Sequence, residues 1–283
     1  MTSTVDLLSG LEASLATRSA SIAVRDPTRQ SYLVAGDALA TMDALIEAFP
    51  GGCFDMIFAD PPYLLSNGGI TCQSGEMVSV EKGEWDRSQG IDADFAFTTE
   101  WLARCQRLLK RDGTIWVSGT RHVIHTVGFA MMKLGFKLLN DIVWEKPNPP
   151  PNLSCRYFVH STETILWAAK GPKSKHVFNY EDMREENGGK QMKSAVWRFL
   201  PPGKGEKTFG RHPTQKPIAL LERCILASTR LGDIVMDPFS GSSTTGVAAL
   251  KHGRGFFGIE ADEAFVELSR RRMAIVQEEM PLS

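Results

Sequence analysis

Asp233-Ile234-Val235-Met236-Asp237-Pro238-Phe239-Ser240-Gly241-Ser242-Ser243-Thr244-Thr245-Gly246 is the stretch whose reading decides the architecture. The apolar run Asp233–Met236 reads as a strand, and the apolar Val247–Leu250 after the quoted stretch reads as the body of a helix. Between them lies a turn of proline, glycine and hydroxyl residues. Such a turn lets backbone N–H groups approach a ligand, and the helix N-terminus behind it favours negative charge. A second strand, Gly255–Ile259, follows and ends at Glu260, an acid placed to accept hydrogen bonds from ribose hydroxyls. Gly253-Arg254-Gly255-Phe256-Phe257-Gly258 matches a dinucleotide-binding spacing, but it runs into a strand rather than out of one, so we read it as a chance match. No GxxxxGK[ST] loop for nucleoside triphosphates is present.

Working outward, further strand-like runs occur at Phe54–Ala59, Thr114–Ser118, Asp141–Trp144 and Thr164–Ala168. Helical spacing sits between several of them. Thr98–Lys110 places Trp101, Leu102, Cys105, Leu108 and Leu109 on one face, and Pro217–Thr229 does the same with Leu220, Leu221, Cys224 and Ile225. The alternation predicts an α/β domain with a mostly parallel sheet and helices on both faces. Residues 64–94 and 171–211 break the rhythm and are too long for simple connections, which marks them as functional insertions.

A second motif, Asp60-Pro61-Pro62-Tyr63, follows the strand Phe54–Ala59 directly. The two prolines stop the strand and remove two backbone donors, leaving carbonyls that only accept. Asp60 adds a carboxylate acceptor, and Tyr63 offers a flat ring for a planar heterocycle. The combination suits an amino group on an aromatic ring.

The chain has 283 residues, 42% of them hydrophobic and 23% charged, and no apolar run of membrane-spanning length. Disorder and a transmembrane protein are excluded. Its net charge of −1 argues against a polyanion as partner until the charge is divided along the chain. Residues 1–100 hold 5 Lys/Arg against 15 Asp/Glu, whereas residues 101–220 hold 20 against 9. Between Lys190 and Lys216 lie seven basic residues and the single acid Glu206, with Trp197, Phe199 and Phe209 interleaved, a pattern suited to phosphate contacts and base stacking. The five cysteines form no CxxC pair, which speaks against a disulfide framework or a zinc site. The leucines at 7, 8, 11 and 15 follow Asp6 without a basic leader, so the first 20 residues are expected to form a short surface helix and the protein is expected to be cytoplasmic.

The DPPY at 60–63, the DPFSGSSTTG at 237–246 and the His212-Pro213-Thr214-Gln215-Lys216-Pro217 segment together resemble the S-adenosylmethionine-dependent DNA amino-methyltransferases. The catalytic motif precedes the cofactor motif, which is the permuted beta order. The likeness runs from about Gly36 to Arg272. The segments 65–70, Gly83-Glu84-Trp85-Asp86, 148–157 and 189–193 resemble the DpnA-type restriction-system adenine methylases more than HinfI/CcrM-type enzymes, whose extra C-terminal domain has no counterpart here.

The resemblance implies a Rossmann-like methyltransferase fold with a seven-stranded sheet. It also implies a domain over 31–283 carrying a target-recognition insertion at about 171–211, after an N-terminal extension of 1–30. It implies S-adenosylmethionine as cofactor, with Phe239, Gly241 and Thr244 around its amino-acid end, Glu260 on its ribose, and Asp37, Asp237 and Ser243 as further contacts. The family usually has Gly where this chain has Ser243. Lys216 is read either as a ligand of the cofactor carboxylate or as a surface lysine at a helix start. Asp60, Pro61, Pro62 and Tyr63 would be catalytic, acting on a base swung out of the duplex.

For DNA the candidates are Trp85, Asn148, Asn152, Arg156, Asn187, Lys190, Gln191, Lys193 and Arg198, since Asn and Gln pair with adenine and Arg with guanine. Adenine N6 is favoured because cytosine-N4 enzymes more often carry Ser in place of Asp60, and the DpnA likeness suggests GATC. Three alternatives stand beside this reading: cytosine-N4 methylation, a non-catalytic DNA-binding protein of the same fold, and methylation of RNA or of a protein side-chain amide. A homodimer and a partner restriction endonuclease are further expectations.

Overall fold

The computed structural model describes residues 6–63, 70–73, 76–79, 86–149, 151, 155–191, 194–210 and 212–279. Its strands are β1 (Ser21–Asp26), β2 (Ser31–Ala35), β3 (Phe54–Ala59), β4 (Ile70–Gln73), β5 (Glu76–Ser79), β6 (Leu109–Gly119), β7 (Lys137–Glu145), β8 (Thr162–Ala169), β9 (Val196–Arg198), β10 (Ile234–Asp237) and β11 (Gly255–Glu260). The helices are α1 (Glu12–Thr17), α2 (Ala38–Ala48), α3 (Ile91–Leu108), α4 (Ile124–Leu134), α5 (Tyr180–Glu186), α6 (Ile218–Ser228), α7 (Thr244–Lys251) and α8 (Glu263–Glu279). The central sheet runs β1-β2-β11-β10-β3-β6-β8-β7-β9, and β4 with β5 forms a separate hairpin inside the 64–94 insertion.

Nine strands replace the seven expected. The additions are the two edges. Ser21–Asp26 turns back on β2 as an antiparallel hairpin, so part of the expected N-terminal extension belongs to the sheet. Val196–Arg198 joins β7 from within the insertion, a three-residue strand too short to show periodicity. The N-terminal helix is short, and Leu7, Leu8, Leu11 and Leu15 are all buried in the main core rather than lying on the surface.

From β2 to β6 the neighbours are parallel. Strands buried on both faces must be apolar throughout, and β3, β10 and β11 divide their side chains between two cores. Ile57, Ala59, Ile234, Met236, Phe257 and Ile259 meet the face covered by α3 residues Trp101, Leu102, Cys105 and Leu108. Met56, Phe58, Val235 and Phe256 meet the face covered by α6 residues Leu220, Leu221, Cys224 and Ile225.

Direction sets the place of the site. The carboxyl ends of β2, β11, β10, β3 and β6 share one edge. β8 is antiparallel to both β6 and β7, and β9 is parallel to β7, so Glu145, Arg198 and the start of β8 reach that same edge. Ligands of open α/β sheets bind there. Among the described residues, no helix is long and apolar enough to cross a membrane.

Candidate active site

Both motifs open on one cavity of about 360 Å3 at this edge. Asp60, Pro61, Pro62 and Tyr63 line it from β3, Asp237, Phe239, Gly241 and Thr244 from the β10–α7 turn, Glu260 from β11, Asp37 from the start of α2, and Lys216 from the segment before α6. Motifs almost 180 positions apart thus form a single chamber because β3 and β10 are neighbours in the sheet.

The turn after β10 is held from within. Asp237 accepts from the Thr245 hydroxyl at 2.6 Å and from the Phe239 N–H at 3.0 Å, and burial pushes its carboxyl up to about 7. Glu260 accepts from the Gly241 N–H at 2.7 Å and the Asp262 N–H at 2.8 Å, and burial raises its carboxyl as well. Asp37 caps α2 through the Ala40 N–H at 2.8 Å. Gly241 has φ +53, and a Cβ there would stand 3.0 Å from the His212 ring, so a side chain would crowd both the backbone and the cavity wall.

Ser243 corrects one expectation. It is fully buried, it is not among the residues lining the cavity, and its hydroxyl faces Ser240 Oγ at 2.7 Å. Its backbone is left-handed, φ 51° and ψ 39°, which explains why glycine suits the position.

The surface-lysine reading of Lys216 fails, because the residue is only 6% exposed. Its Nζ lies 2.6 Å from Asp60 Oδ2, 3.0 Å from the Tyr63 hydroxyl and 5.2 Å from the centre of the Tyr63 ring. Tyr63 in turn donates to Asp60 Oδ1 at 2.6 Å. Burial pushes the Asp60 carboxyl up, with Lys216 pulling against it, and pushes the Tyr63 hydroxyl well above its ordinary range. For Lys216 burial disfavours the charge, yet Asp60 and then Glu163 outweigh it and hold the ammonium above its ordinary pKa.

Glu163 was missed by the sequence reading. It is 8% exposed at the start of β8, ion-paired to Lys146, with Oε2 at 3.6 Å from Lys216 Nζ and 3.4 Å from the Tyr63 hydroxyl. Lys216 and then Lys146 overcome the cost of burial and hold its carboxyl below the ordinary range. The signal was available: an acid in phase with the inward-facing Ile165 and Trp167 of one strand. His212, Phe97, Phe265 and Asp86 also line the cavity.

The DNA candidates divide. Asn148, Arg156, Lys190, Gln191 and Arg198 are exposed, the last paired with Glu145 at 2.7 Å. Asn187 spends its amide on the carbonyls of Lys190 and Gln191, both at 3.1 Å. Trp197 is buried beside Trp116 in the core and is no stacking platform, whereas Phe209 is exposed. Tyr157 and Phe158, which the sequence reading did not single out, stand exposed beside Arg156. Trp85, Asn152 and Lys193 lie outside the described residues.

The chamber fits S-adenosylmethionine by its donor set. Carboxylates at Asp37, Asp237 and Glu260 match an ammonium and a ribose diol, the α7 N-terminus matches a carboxylate, and Phe239, Ile259 and Phe265 offer apolar wall to an adenine ring.

Residues 54–271 match the N6/N4 DNA methylase family. The chain is 54% identical over 220 residues to the type II methyltransferase M2.DpnII of Streptococcus pneumoniae, covering 77% of this chain and 82% of that one. It is 53% identical over 224 residues to M2.MboI of Moraxella bovis, covering 79% and 82%. The M1.HpyAVI–SAM complex superimposes with a TM-score of 0.62 at 27% identity, over 85% of this chain and 98% of that one. The cytosine-N4-specific PvuII DNA methyltransferase, at 19% identity and a TM-score of 0.64 over 88% and 90%, shares the fold. With both motifs on one cofactor-sized chamber and this likeness across most of its length, the chain belongs to the N6/N4 DNA methylase family and is an S-adenosylmethionine-dependent DNA methyltransferase.

Proposed function

We propose that the protein methylates the N6 amino group of adenine within a short DNA sequence, GATC first among the choices, as the modification arm of a restriction-modification system alongside a nuclease of the same specificity. The observation that carries this reading is the Asp60 carboxylate at the end of β3, opening on the same chamber as the Asp237–Thr245 turn and Glu260. GATC rests on the likeness of the 148–157 and 189–193 segments to DpnA-type methylases.

The target nitrogen is inside the duplex, so the base must leave the stack before it can react. Tyr63 offers a ring to replace part of the lost stacking. Asp60 and the Pro61 carbonyl accept from the amine, which favours a tetrahedral nitrogen with its lone pair free. The cofactor supplies a sulfonium methyl: the new N–C bond forms as the S–C bond breaks, its electron pair goes to sulfur, and the nitrogen then sheds a proton. Holding both partners in line supplies roughly 7–11 kcal/mol of the barrier. Phe239, Gly241, Thr244, Asp37, Asp237 and Glu260 hold the donor. Asn148, Arg156, Lys190, Gln191 and Arg198 contact bases and phosphates.

Sequencing that reports modified bases in DNA from cells expressing the protein tests this directly. N6-methyladenine in one short context is expected. N4-methylcytosine, or unmodified DNA, overturns the reading.

A further inference from the structure

Lys216 covers both groups that a target base needs: its ammonium bonds the Asp60 carboxylate at 2.6 Å and lies over the Tyr63 ring. A base amine that donates to Asp60 and a ring that stacks on Tyr63 require the lysine to move. Its freedom is narrow, because the side chain is almost wholly buried and a buried ammonium without a carboxylate is strongly disfavoured. Among the described residues, Glu163 is the second carboxylate ion-paired with it. Lys146 occupies Glu163 Oε1, which leaves Oε2 turned toward Tyr63 and Lys216, 3.6 Å from the ammonium.

We propose that Glu163 is a positioning residue for methyl transfer: it is the second seat of the Lys216 ammonium, taking it when the target base arrives and so releasing Asp60 and the face of Tyr63 together. The proposal rests on the reading of Asp60 as the acceptor for the base amine. The move keeps the charge balanced, since Lys216 passes from one carboxylate to another and Lys146 stays paired with Glu163. The groups facing Glu163 are Lys146 just after β7, Lys216 from the segment before α6, and Tyr63 with Asp60 from the end of β3.

The test is the full-length protein with Glu163→Gln, Glu163→Asp, Lys216→Met and the double variant Glu163→Gln/Lys216→Met. It follows tritiated methyl groups from the cofactor into DNA whichever base accepts them, and the methylated base is identified after digestion. Glu163→Gln should lower kcat on the order of 100-fold, the scale of a misplaced reacting group, while the Kd for S-adenosylmethionine and the KM for DNA stay within about 3-fold of wild type. Glu163→Asp, which keeps the charge, should recover most of the loss. The deficit of Glu163→Gln should narrow as pH rises, because Lys216 with one carboxylate partner removed loses its proton more readily and stops blocking Asp60.

In the Lys216→Met background the same Gln substitution should cost less than about 3-fold, since no ammonium then needs a second seat. A cost independent of Lys216, or wild-type turnover in Glu163→Gln, overturns the proposal. N4-methylcytosine as the wild-type product, with the same dependence on Lys216, supports the proposal and overturns the adenine reading. A wild-type protein that transfers no methyl group overturns both.

Discussion

Lys216 Nζ and Asp60 Oδ2 lie 2.6 Å apart although 156 positions separate them in the chain. The contact joins the segment before α6 to the carboxylate at the end of β3. Removing Asp60 leaves that ammonium with Glu163 as its carboxylate partner among the described residues, and with the Tyr63 hydroxyl. Asp60→Ala should therefore fold and bind S-adenosylmethionine within a few-fold of wild type while methyl transfer falls by at least the roughly 100- to 1000-fold typical of losing one preorganised polar group. Cofactor binding by calorimetry and single-turnover transfer check both halves. Near-wild-type turnover would remove Asp60 from the mechanism.

Asp237 gives a pH signature. Its carboxyl is raised by burial from 3.8 to about 7, so the folded protein holds a proton that the unfolded chain has released. Stability from this group is complete below the unfolded pKa and is lost as pH rises toward 7, at about 1.4 kcal/mol per unit of displacement. An Asp237→Asn variant does not titrate. Its stability relative to wild type should improve steadily between pH 4 and pH 7 and level off above that, as read by denaturant unfolding of the cofactor-free protein. A flat difference would show that Asp237 stays ionised in the fold.

Ser243 separates backbone strain from hydrogen bonding. Gly and Ala variants both lose the hydroxyl that meets Ser240, but only Ala keeps the Cβ that the left-handed backbone penalises. Ser243→Gly should be more stable than Ser243→Ala by about 1–2 kcal/mol. Equal unfolding midpoints would mean that the turn rearranges when the hydroxyl is removed.

Arg156, between β7 and β8, and Lys190, in the insertion, predict a salt signature. Arg156→Ala and Lys190→Ala should leave thermal stability unchanged, weaken DNA binding, and each reduce the slope of log K against log salt by roughly one if the residue meets a phosphate. Trp197→Ala should behave oppositely, costing about 3–5 kcal/mol of stability as a buried core truncation. Fluorescence anisotropy across a salt series, paired with thermal melts, distinguishes the two classes. An Arg156 variant with unaltered affinity and slope would take that residue out of the interface.

The local elements of this protein are written in its sequence. The strand before Asp60 ends where two prolines end it, the β10–α7 turn falls at its glycine and hydroxyl run, and the apolar faces of α3 and α6 are those that helical spacing predicts, save Leu109, which opens β6 instead of closing α3, because each depends on neighbours a few residues away. Even Glu163 carried a local mark, an acid in the inward phase of β8.

Tertiary structure alone decided the rest. Adjacency of β3 and β10 merged two distant motifs into one chamber, and pairing at the sheet edges drew Ser21–Asp26 and Val196–Arg198 into a nine-stranded sheet. It turned Trp197 into core and Lys216 from a choice between surface and cofactor into the buried partner of Asp60. Burial and charge pairing are properties of what surrounds a side chain, and those surroundings exist only after distant strands have met.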